Sequence, residues 1–397
     1  VGAGPAGIRA AQRLVAAGLH PVVVDEGARA GGQIYRRPPE GFTRPPQTLY
    51  GSEADKALDL HRCFDRMLDA GQLSYHPRSS VVALGAQGAQ VLGPDGVDTL
   101  AYDKLILATG ATDRLAPVPG WQSAGVYSLG ATQIALKSQG VALGRRMVLA
   151  GSGPLLTLVA SQLRKAGAQV VAVLDTAPLT TQAAGVIGMA LARPRVTLRG
   201  AVMRAGLGRS YHAGVTLTRI ATDGTGPTAI HWQDARGRDH ATPCDMVGLG
   251  WHLRAETHLT DLAGVSMAWD QVSHQWLPES DAMGRAAAGV YLAGDGMRIL
   301  GADGAELAGK IAASACLQDL GMAAPDTGRA LKELRRMQRF ASAMQRAFPW
   351  PAQMVRALPA DTVLCRCESI SVGDLRTTLS LSGPEANRAK SLSRVGM

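Results

Sequence analysis

Residues 2–7 read Gly-Ala-Gly-Pro-Ala-Gly, a Gly-x-Gly-x-x-Gly pattern near the start of the chain. In such a loop the first glycine permits a tight turn and the second lets backbone N–H groups approach a pyrophosphate. The third allows a helix to pack closely on its strand. The pattern predicts a helix over Ile8 to Ala17 and a buried strand over Pro21 to Val24, ending at Asp25. A glycine loop followed about twenty residues later by an acidic residue predicts a dinucleotide site. Its candidate cofactor-binding residues are Gly2, Gly4, Pro5, Ala6, Gly7, Asp25 and Glu26.

A second unit of the same kind begins near residue 146. Met147 to Ala150 predicts a strand that enters Gly151-Ser152-Gly153-Pro154, and a further strand ends at Asp175. Gly151 and Gly153 are candidate cofactor-binding residues, and an acidic residue at position 175 favours NAD over NADP. Leu156 stands where the third glycine belongs, so we expect the helix to be crowded against its strand. A functional NAD site and a degenerate site both remain open.

The sequence predicts further strands and helices outside these two glycine loops. Ser79 to Tyr102 predicts a small antiparallel meander, and Val196 to His240 also alternates like strands with turns. Apolar strands run into Ala108-Thr109-Gly110 and into Gly294-Asp295. Arg329 to Phe348 predicts an amphipathic helix that ends at Pro349.

Composition and charge limit the classes of function. The 397 residues suggest two or three domains, and 46% apolar with 18% charged residues excludes a disordered chain or a coiled coil. Five scattered cysteines exclude a disulfide scaffold and predict a reducing, cytoplasmic location. Residues 329–397 carry 12 Lys and Arg against 5 Asp and Glu, most of the net charge of +9. We expect no nucleic-acid partner and no transmembrane segment, while an acidic partner, peripheral membrane contact or a solvated surface remains open.

Three motifs, the Gly2–Gly7 loop, Ala108-Thr109-Gly110 and Gly294-Asp295, together resemble those of the two-dinucleotide-domain flavoproteins. These proteins form the pyridine nucleotide-disulfide oxidoreductase-like family. The resemblance covers most of Val1 to Leu320. It implies FAD in the first unit, with Asp295 at the ribityl chain, and NAD(P) in the second. By the same resemblance, the further cofactor-binding candidates are Gly32, Gln33, Ala108, Thr109, Gly110, Gly294 and Asp295. Because only Val1 precedes the glycine loop, we expect the first strand to lack N-terminal residues.

Cysteine placement narrows the chemistry. The Gly31-Gly32-Gln33-Ile34 turn is followed by no Cys pair, so no thiol–disulfide chemistry is expected. Cys63, Cys244 and Cys316 are isolated, and we expect them to be buried as small apolar residues. No catalytic acid or base is identifiable. His252 is expected to be structural, and Arg36 and Arg37 could reach a phosphate, a carboxylate or solvent.

Cys365-Arg366-Cys367-Glu368 lies near the end of the chain. This run and the Gly31–Arg37 turn resemble a subgroup of the family whose members are subunits of amine and amino-acid dehydrogenases. The resemblance implies a further Cys pair beyond Met397, so Cys365 and Cys367 would be half of a [2Fe-2S] site in the full-length protein. Two chance thiols are the alternative.

The sequence therefore predicts an α/β fold with two Rossmann-like dinucleotide-binding domains and a small C-terminal module. The FAD-binding domain is discontinuous, over 1–120 and 278–325. A NAD(P)-binding-like domain occupies 121–277, and a truncated basic module of iron–sulfur type occupies 326–397. The resemblance implies an FAD-dependent electron-transfer subunit of an opine, glycine or hydroxyproline type dehydrogenase, working with a flavin oxidase or dehydrogenase partner subunit. The alternatives are a stand-alone NADH-dependent reductase of a small electron carrier and a non-catalytic scaffold subunit.

Overall fold

The computed structural model describes residues 1–39, 41 and 44–396, which form two compact units. The first unit contains Val1–Thr112, Lys137–Gln139 and Leu253–Ser342. The second contains Asp113–Leu136, Gly140–His252 and the chain from Ala343 onward. Within the described residues, no helix is both long and apolar enough to cross a lipid bilayer.

The helices and strands follow one another in an α/β arrangement. The helices are α1 (Pro5–Ala16), α2 (Pro46–Tyr50), α3 (Ala54–Asp69), α4 (Leu129–Ile134), α5 (Pro154–Lys165), α6 (Leu179–Ala192), α7 (Pro194–Ala205), α8 (His258–Leu262), α9 (Gly301–Asp319), α10 (Gly328–Ala347), α11 (Ala352–Arg356), α12 (Val372–Ser382) and α13 (Ala386–Ser393). The strands are β1 (Val22–Val24), β2 (Ser74–His76), β3 (Ser80–Gly85), β4 (Gly88–Gly93), β5 (Gly96–Leu100), β6 (Leu105–Leu107), β7 (Ala111–Asp113), β8 (Val126–Ser128), β9 (Arg146–Ser152), β10 (Gln169–Asp175), β11 (Tyr211–Ala213), β12 (Thr216–Thr222), β13 (Pro227–Gln233), β14 (Asp239–Pro243), β15 (Met246–Trp251), β16 (Leu253–Ala255), β17 (Met267–Asp270), β18 (Gln275–Pro278), β19 (Arg285–Ala287), β20 (Val290–Leu292), β21 (Val363–Cys365) and β22 (Ile370–Ser371).

The first unit is built around α1 and short parallel strands. Pro5 at the first helical position and the alanine-rich sequence favour α1, which buries Ile8, Ala10 and Ala11. Strand β1 pairs in parallel with β2, and β20 pairs in parallel with β6. The predicted meander is present as the antiparallel sheet β3-β4-β5. Helix α9 packs tightly on α1: the helices are so close that a Cβ on Gly309 would overlap the carbonyl oxygen of Ala6.

The second unit holds a five-stranded parallel sheet with the order β11-β10-β9-β15-β8. Its central strands are apolar runs with both faces covered, as expected for a parallel sheet. All seven residues of β9 except Arg146 are buried. This topology, with helix α5 connecting β9 to β10, confirms the predicted Rossmann-like class.

One predicted segment is wrong. The alternation over Val196 to His240 predicts strands with turns, but residues from Pro194 to Ala205 form helix α7, and strands begin only at Tyr211. Proline at the first helical position starts the helix. Helix α7 has no buried residue, so the apolar residues that imitate a strand, among them Leu198 and Val202, are exposed. The chain passes from the first unit to the second after Ser342, and the predicted domain boundaries stay a prediction.

Candidate functional site

The glycine loop at the start of the chain has a geometry that only glycine permits at two positions. Gly2 has a φ of 98°, and its N–H donates to the carbonyl oxygen of Val24 at 2.7 Å. A Cβ on Gly2 would overlap the carbonyl oxygen of Ala108. A Cβ on Gly7 would likewise overlap the carbonyl oxygen of Gly2. The loop is therefore pressed between the end of β6 and the first turn of α1.

The N-terminus of α1 is open. Gly4 is the N-cap, no side chain caps the helix by a hydrogen bond, and Pro5 follows at the first helical position. A Cβ on Gly4 would meet only the Cα of Gly32, at an ordinary 3.7 Å. The first N–H groups of a helix have no intrahelical partner and carry a partial positive charge. This end of α1 is therefore suited to a phosphate group.

The carboxylate of Asp25 holds this loop in place. Its Oδ2 accepts a hydrogen bond from the N–H of Ala3 at 2.5 Å, and its Oδ1 accepts one from Gly27 at 2.7 Å. Asp25 is half-buried, whereas Glu26 is exposed. Asp25 thus joins the end of β1 to the glycine loop, and ribose binding by Asp25 and Glu26 stays a prediction.

Further motifs meet the loop in the same unit. A Cβ on Gly32 would lie 2.8 Å from the Cα of Gly4, so the Gly31-Gly32-Gln33 turn adjoins the glycine loop. Gln33 is exposed and accepts a hydrogen bond from Arg36 through Oε1 at 2.6 Å. A Cβ on Gly294 would lie 2.8 Å from that of Ala6. These close approaches bring segments far apart in sequence to one place.

The turn after β6 contains Ala108, Thr109 and Gly110 and lies near the glycine loop. The N–H of Ala108 donates to the carbonyl oxygen of Val1 at 2.8 Å, and the Thr109 hydroxyl donates to the carbonyl oxygen of Glu256 at 2.7 Å. A Cβ on Gly296 would approach the Thr109 hydroxyl oxygen at 2.5 Å. The turn after β20 and the turn after β6 are therefore adjacent.

Asp295 lies in the turn between β20 and α9. Its Oδ1 accepts hydrogen bonds from the N–H groups of Leu300 at 2.8 Å and Gly301 at 3.1 Å. Burial raises the pKa of this carboxyl, against the effect of the two N–H donors. Its Oδ2 has no hydrogen-bond partner among the described residues. A second oxygen of a partly buried carboxylate is available to accept a ligand hydroxyl.

The first unit thus fits a dinucleotide. It offers the uncapped N-terminus of α1, backbone without a Cβ at Gly2, Gly4 and Gly32, and the Asp295 carboxylate with one oxygen unused. We call Gly2, Gly4, Gly32 and Asp295 the cradle. The sequence does not predict that Lys137, which belongs to this unit, is buried. No local pattern marks it, because an isolated lysine is usually exposed.

The second glycine loop differs in its third position. Gly151 has a φ of 143°, and a Cβ there would overlap the carbonyl oxygen of Gly250. Leu156, in place of the third glycine, is fully buried in a core that includes Leu129, Leu149 and Val173. The first loop admits no side chain at Gly7, yet this loop accommodates a leucine. Helix α5 therefore leaves its strand with a different local geometry.

Asp175, predicted to favour NAD, is fully buried and has partners within the chain. It accepts hydrogen bonds from the Ser152 hydroxyl at 2.8 Å, the Ala177 N–H at 2.8 Å and the Tyr211 hydroxyl at 2.5 Å. Burial raises its pKa to about 6, against the effect of these donors. The carboxylate is directed into the protein and not towards a ribose site.

His252 occupies the space beside the second loop. It has a φ of 61°, and a Cβ on Gly153 would lie 3.1 Å from its imidazole ring. The His252 Nε2 lies 2.6 Å from the carbonyl oxygen of Phe348, and the Arg114 guanidinium stacks on Trp350 at 3.9 Å. Burial lowers the pKa of His252. The absence of a Cβ at Gly153 thus accommodates an imidazole of the chain itself.

Cys365 and Cys367 lie together near the end of the second unit. Their sulfur atoms are 3.1 Å apart, and the Gly396 N–H donates to the Cys365 Sγ at 3.3 Å. The Gly396 N–H and the Cys367 thiol lower the pKa of Cys365. Cys63, Cys244 and Cys316 are buried, as predicted. No group of three or more His, Cys, Asp or Glu side chains with metal-binding spacing occurs in residues 1–39, 41 and 44–396.

Comparison with known proteins shows the family and the fold of the chain. Residues 1–309 match the model of the family described as pyridine nucleotide-disulphide oxidoreductase. The chain is 35% identical to an opine oxidase subunit of Rhizobium meliloti over 415 residues, covering 100% of this chain and 77% of that protein. It is 29% identical to the HcnB subunit of hydrogen cyanide synthase of Pseudomonas protegens, covering 100% of this chain and 87% of that protein. Among solved structures, L-proline dehydrogenase from P. horikoshii has a TM-score of 0.70 at 16% identity, covering 99% of this chain and 68% of its own.

Proposed function

This chain belongs to the pyridine nucleotide-disulphide oxidoreductase family and is therefore an FAD-dependent oxidoreductase, and on this basis we propose that it is the electron-transfer subunit of a hetero-oligomeric amine or amino-acid dehydrogenase. The substrate would be of the opine, glycine or hydroxyproline type. The relatives matched over the whole chain are named as subunits, which supports a partner subunit with flavin oxidase or dehydrogenase activity. A cytoplasmic location stays a prediction.

The cradle in the first unit carries this proposal. The uncapped N-terminus of α1 would bind the FAD pyrophosphate through its N–H groups, and Asp295 would accept a ribityl hydroxyl through Oδ2. Gly32 and the Ala108–Gly110 turn would let backbone approach the cofactor closely. When bound, FAD supplies the redox chemistry. The chain's own task is to bind, orient and shield it.

The geometry of the second loop supports this proposal over a stand-alone NADH-dependent reductase. That alternative needs a free pyrophosphate site at Gly153 and a free carboxylate at Asp175. The imidazole of His252 lies against Gly153. The Asp175 carboxylate already accepts hydrogen bonds from three donors of the chain. The open cradle in the first unit supports a redox role over a non-catalytic scaffold.

Cys365 and Cys367 would provide two ligands of a [2Fe-2S] cluster. The 3.1 Å separation of the two sulfur atoms supports ligation of one metal centre by both residues. The hydrogen bond between the thiols lowers the pKa of Cys365 and raises the pKa of Cys367, so Cys365 is the more readily ionised of the two. Iron–sulfur clusters take four ligands, so two more must come from residues outside this set.

Co-expression with the candidate partner tests the proposal. The complex should oxidise an amine or amino-acid substrate with an artificial electron acceptor, and the spectrum of the FAD bound to this chain should bleach under anaerobic substrate. The same assay with NADH and this chain alone should give little reduction. Rapid reduction by NADH without a partner would favour the reductase instead.

A further inference from the structure

Lys137 is a buried cation to which the proposed function assigns no role. It lies in a five-residue π-helical segment, Ala135–Gln139, which ends at Gly140 with a φ of 66°. Such wide turns are rare and are found disproportionately at functional sites. Residues 137–139 belong to the first unit, although they are distant in sequence from its glycine loop.

The ammonium of Lys137 is poorly satisfied. The residue is 6% exposed, and its Nζ makes one hydrogen bond, to the carbonyl oxygen of Ile34 at 3.4 Å. That distance is beyond the usual N–H···O range, and an ammonium has three donors. No carboxylate pairs with it in the described part of the chain, and burial lowers its pKa to about 8. In contrast, Lys56 in the same unit pairs with Asp303 at 2.7 Å and Glu53 at 3.1 Å.

The position of this ammonium relates it to the cofactor cradle. Ile34 follows the Gly31-Gly32-Gln33 turn, and Gly32 lies against Gly4 of the glycine loop. Arg36, two residues further on, donates to Gln33, and its buried Nε has no hydrogen-bond partner. Arg36 is therefore part of the segment beside the cradle, Lys137 contacts the same segment through Ile34, and both cations have unused donors. A buried charge is costly unless an opposite charge accompanies it.

We propose that Lys137 forms an anion site for the FAD of the first unit, with its ammonium opposed to a negatively charged group of the bound cofactor. This inference rests on the proposed FAD site. Two groups of the cofactor have the required charge: the pyrophosphate in both redox states, and the isoalloxazine ring after two-electron reduction. In either case, a charge that is unfavourable in the cofactor-free protein becomes favourable in the complex.

The test compares Lys137→Met and Lys137→Gln with Lys137→Arg, which keeps the charge. Lys332→Met is the matched control, because it removes an exposed lysine from the same unit. The dissociation constants of FAD and ADP and the midpoint potential of bound FAD are measured for each variant. ADP carries the pyrophosphate without the flavin ring.

If Lys137 contacts the pyrophosphate, Lys137→Met weakens the binding of both FAD and ADP at least tenfold. If Lys137 contacts the isoalloxazine ring, Lys137→Met weakens the binding of reduced FAD at least tenfold more than the binding of oxidised FAD. This difference lowers the midpoint potential by about 30 mV. In both cases the cofactor-free Lys137→Met protein melts no lower than the wild type, because a buried unpaired charge has been removed. Lys137→Gln reports the same effects if Lys137→Met does not fold.

The inference is overturned if Lys137→Met and Lys137→Gln bind both ligands like Lys332→Met and leave the potential unchanged. A wild-type protein that binds no FAD overturns the proposed function itself. The two failures are therefore distinct.

Discussion

At the scale of single residues, Asp295 has a structural contact, and the proposed function adds a contact with the cofactor. Its Oδ1 holds Leu300 and Gly301, while Oδ2 is available to the cofactor. Asp295→Ala should weaken FAD binding by about 1–3 kcal/mol, the cost of losing a hydrogen bond to a charged, partly buried group. Titration of the cofactor-free variant with FAD measures this. Unchanged affinity in a folded Asp295→Ala protein would exclude the ribityl contact.

Asp175 gives a prediction about pH. The folded carboxyl keeps its proton up to about pH 6, whereas an unfolded Asp releases it near pH 4. The folded state therefore binds more protons in this interval, and the free energy of unfolding falls as pH rises from about 4 to 6. Asp175→Asn should remove this fall and be more stable at pH 7 by up to about 3 kcal/mol.

Denaturant unfolding at pH 4.5 and pH 7.5 tests the Asp175 prediction. Asp361→Asn serves as the control, because it removes an exposed carboxyl from the same unit. If Asp175→Asn and Asp361→Asn have the same pH profile, the buried carboxyl is ionised without cost.

At the scale of elements, helix α9 packs closely on helix α1. A Cβ on Gly309 would overlap the carbonyl oxygen of Ala6, whereas a Cβ on Gly200 in α7 would meet nothing within 4 Å. Gly309→Ala should therefore lower the free energy of unfolding by about 1–3 kcal/mol through overpacking. Gly200→Ala should raise it by about 0.5–1 kcal/mol, because alanine favours a helix. A destabilised Gly200→Ala with an unaffected Gly309→Ala would contradict this packing.

The second glycine loop gives a kinetic prediction. NADH should reduce bound FAD slowly or not at all in the isolated protein, because His252 and Leu156 change the loop at Gly151 and Gly153. Stopped-flow mixing with NADH and with NADPH measures the rate. A fast reduction that saturates with NADH would show that the loop binds the nucleotide despite these residues.

The elements that sequence predicts well are those with local signals. The glycine spacing at residues 2–7 predicts the turn, helix α1 and the strand before Asp25, because each depends on residues near in sequence. Helix α7 escapes prediction, because its exposed Leu198 and Val202 resemble strand residues and tertiary exposure is not local. The contact of Asp175 with Tyr211 and that of His252 with Phe348 join segments 36 and 96 residues apart. No periodicity predicts such contacts.

At the scale of the whole molecule, the cysteine pair tests the number of cofactors. The complete gene product, expressed anaerobically, should contain two iron and two sulfide ions per chain if four thiolates are supplied. Iron and sulfide analysis with low-temperature spin resonance after reduction measures this. Cys365→Ser with Cys367→Ser should abolish the signal, whereas Cys244→Ala, a buried isolated thiol, should keep it. Iron retained in the double variant would exclude these residues as ligands.

The central claim is that the first unit holds FAD, and the visible spectrum of the purified protein tests it most directly. Protein reconstituted with excess FAD and freed of unbound cofactor should be yellow, with one non-covalent FAD per chain released on denaturation. The cradle of Gly2, Gly4, Gly32 and Asp295 predicts this stoichiometry, because its uncapped helix end and free carboxylate oxygen together fit one cofactor. A folded protein that stays colourless and takes up no FAD would contradict the claim.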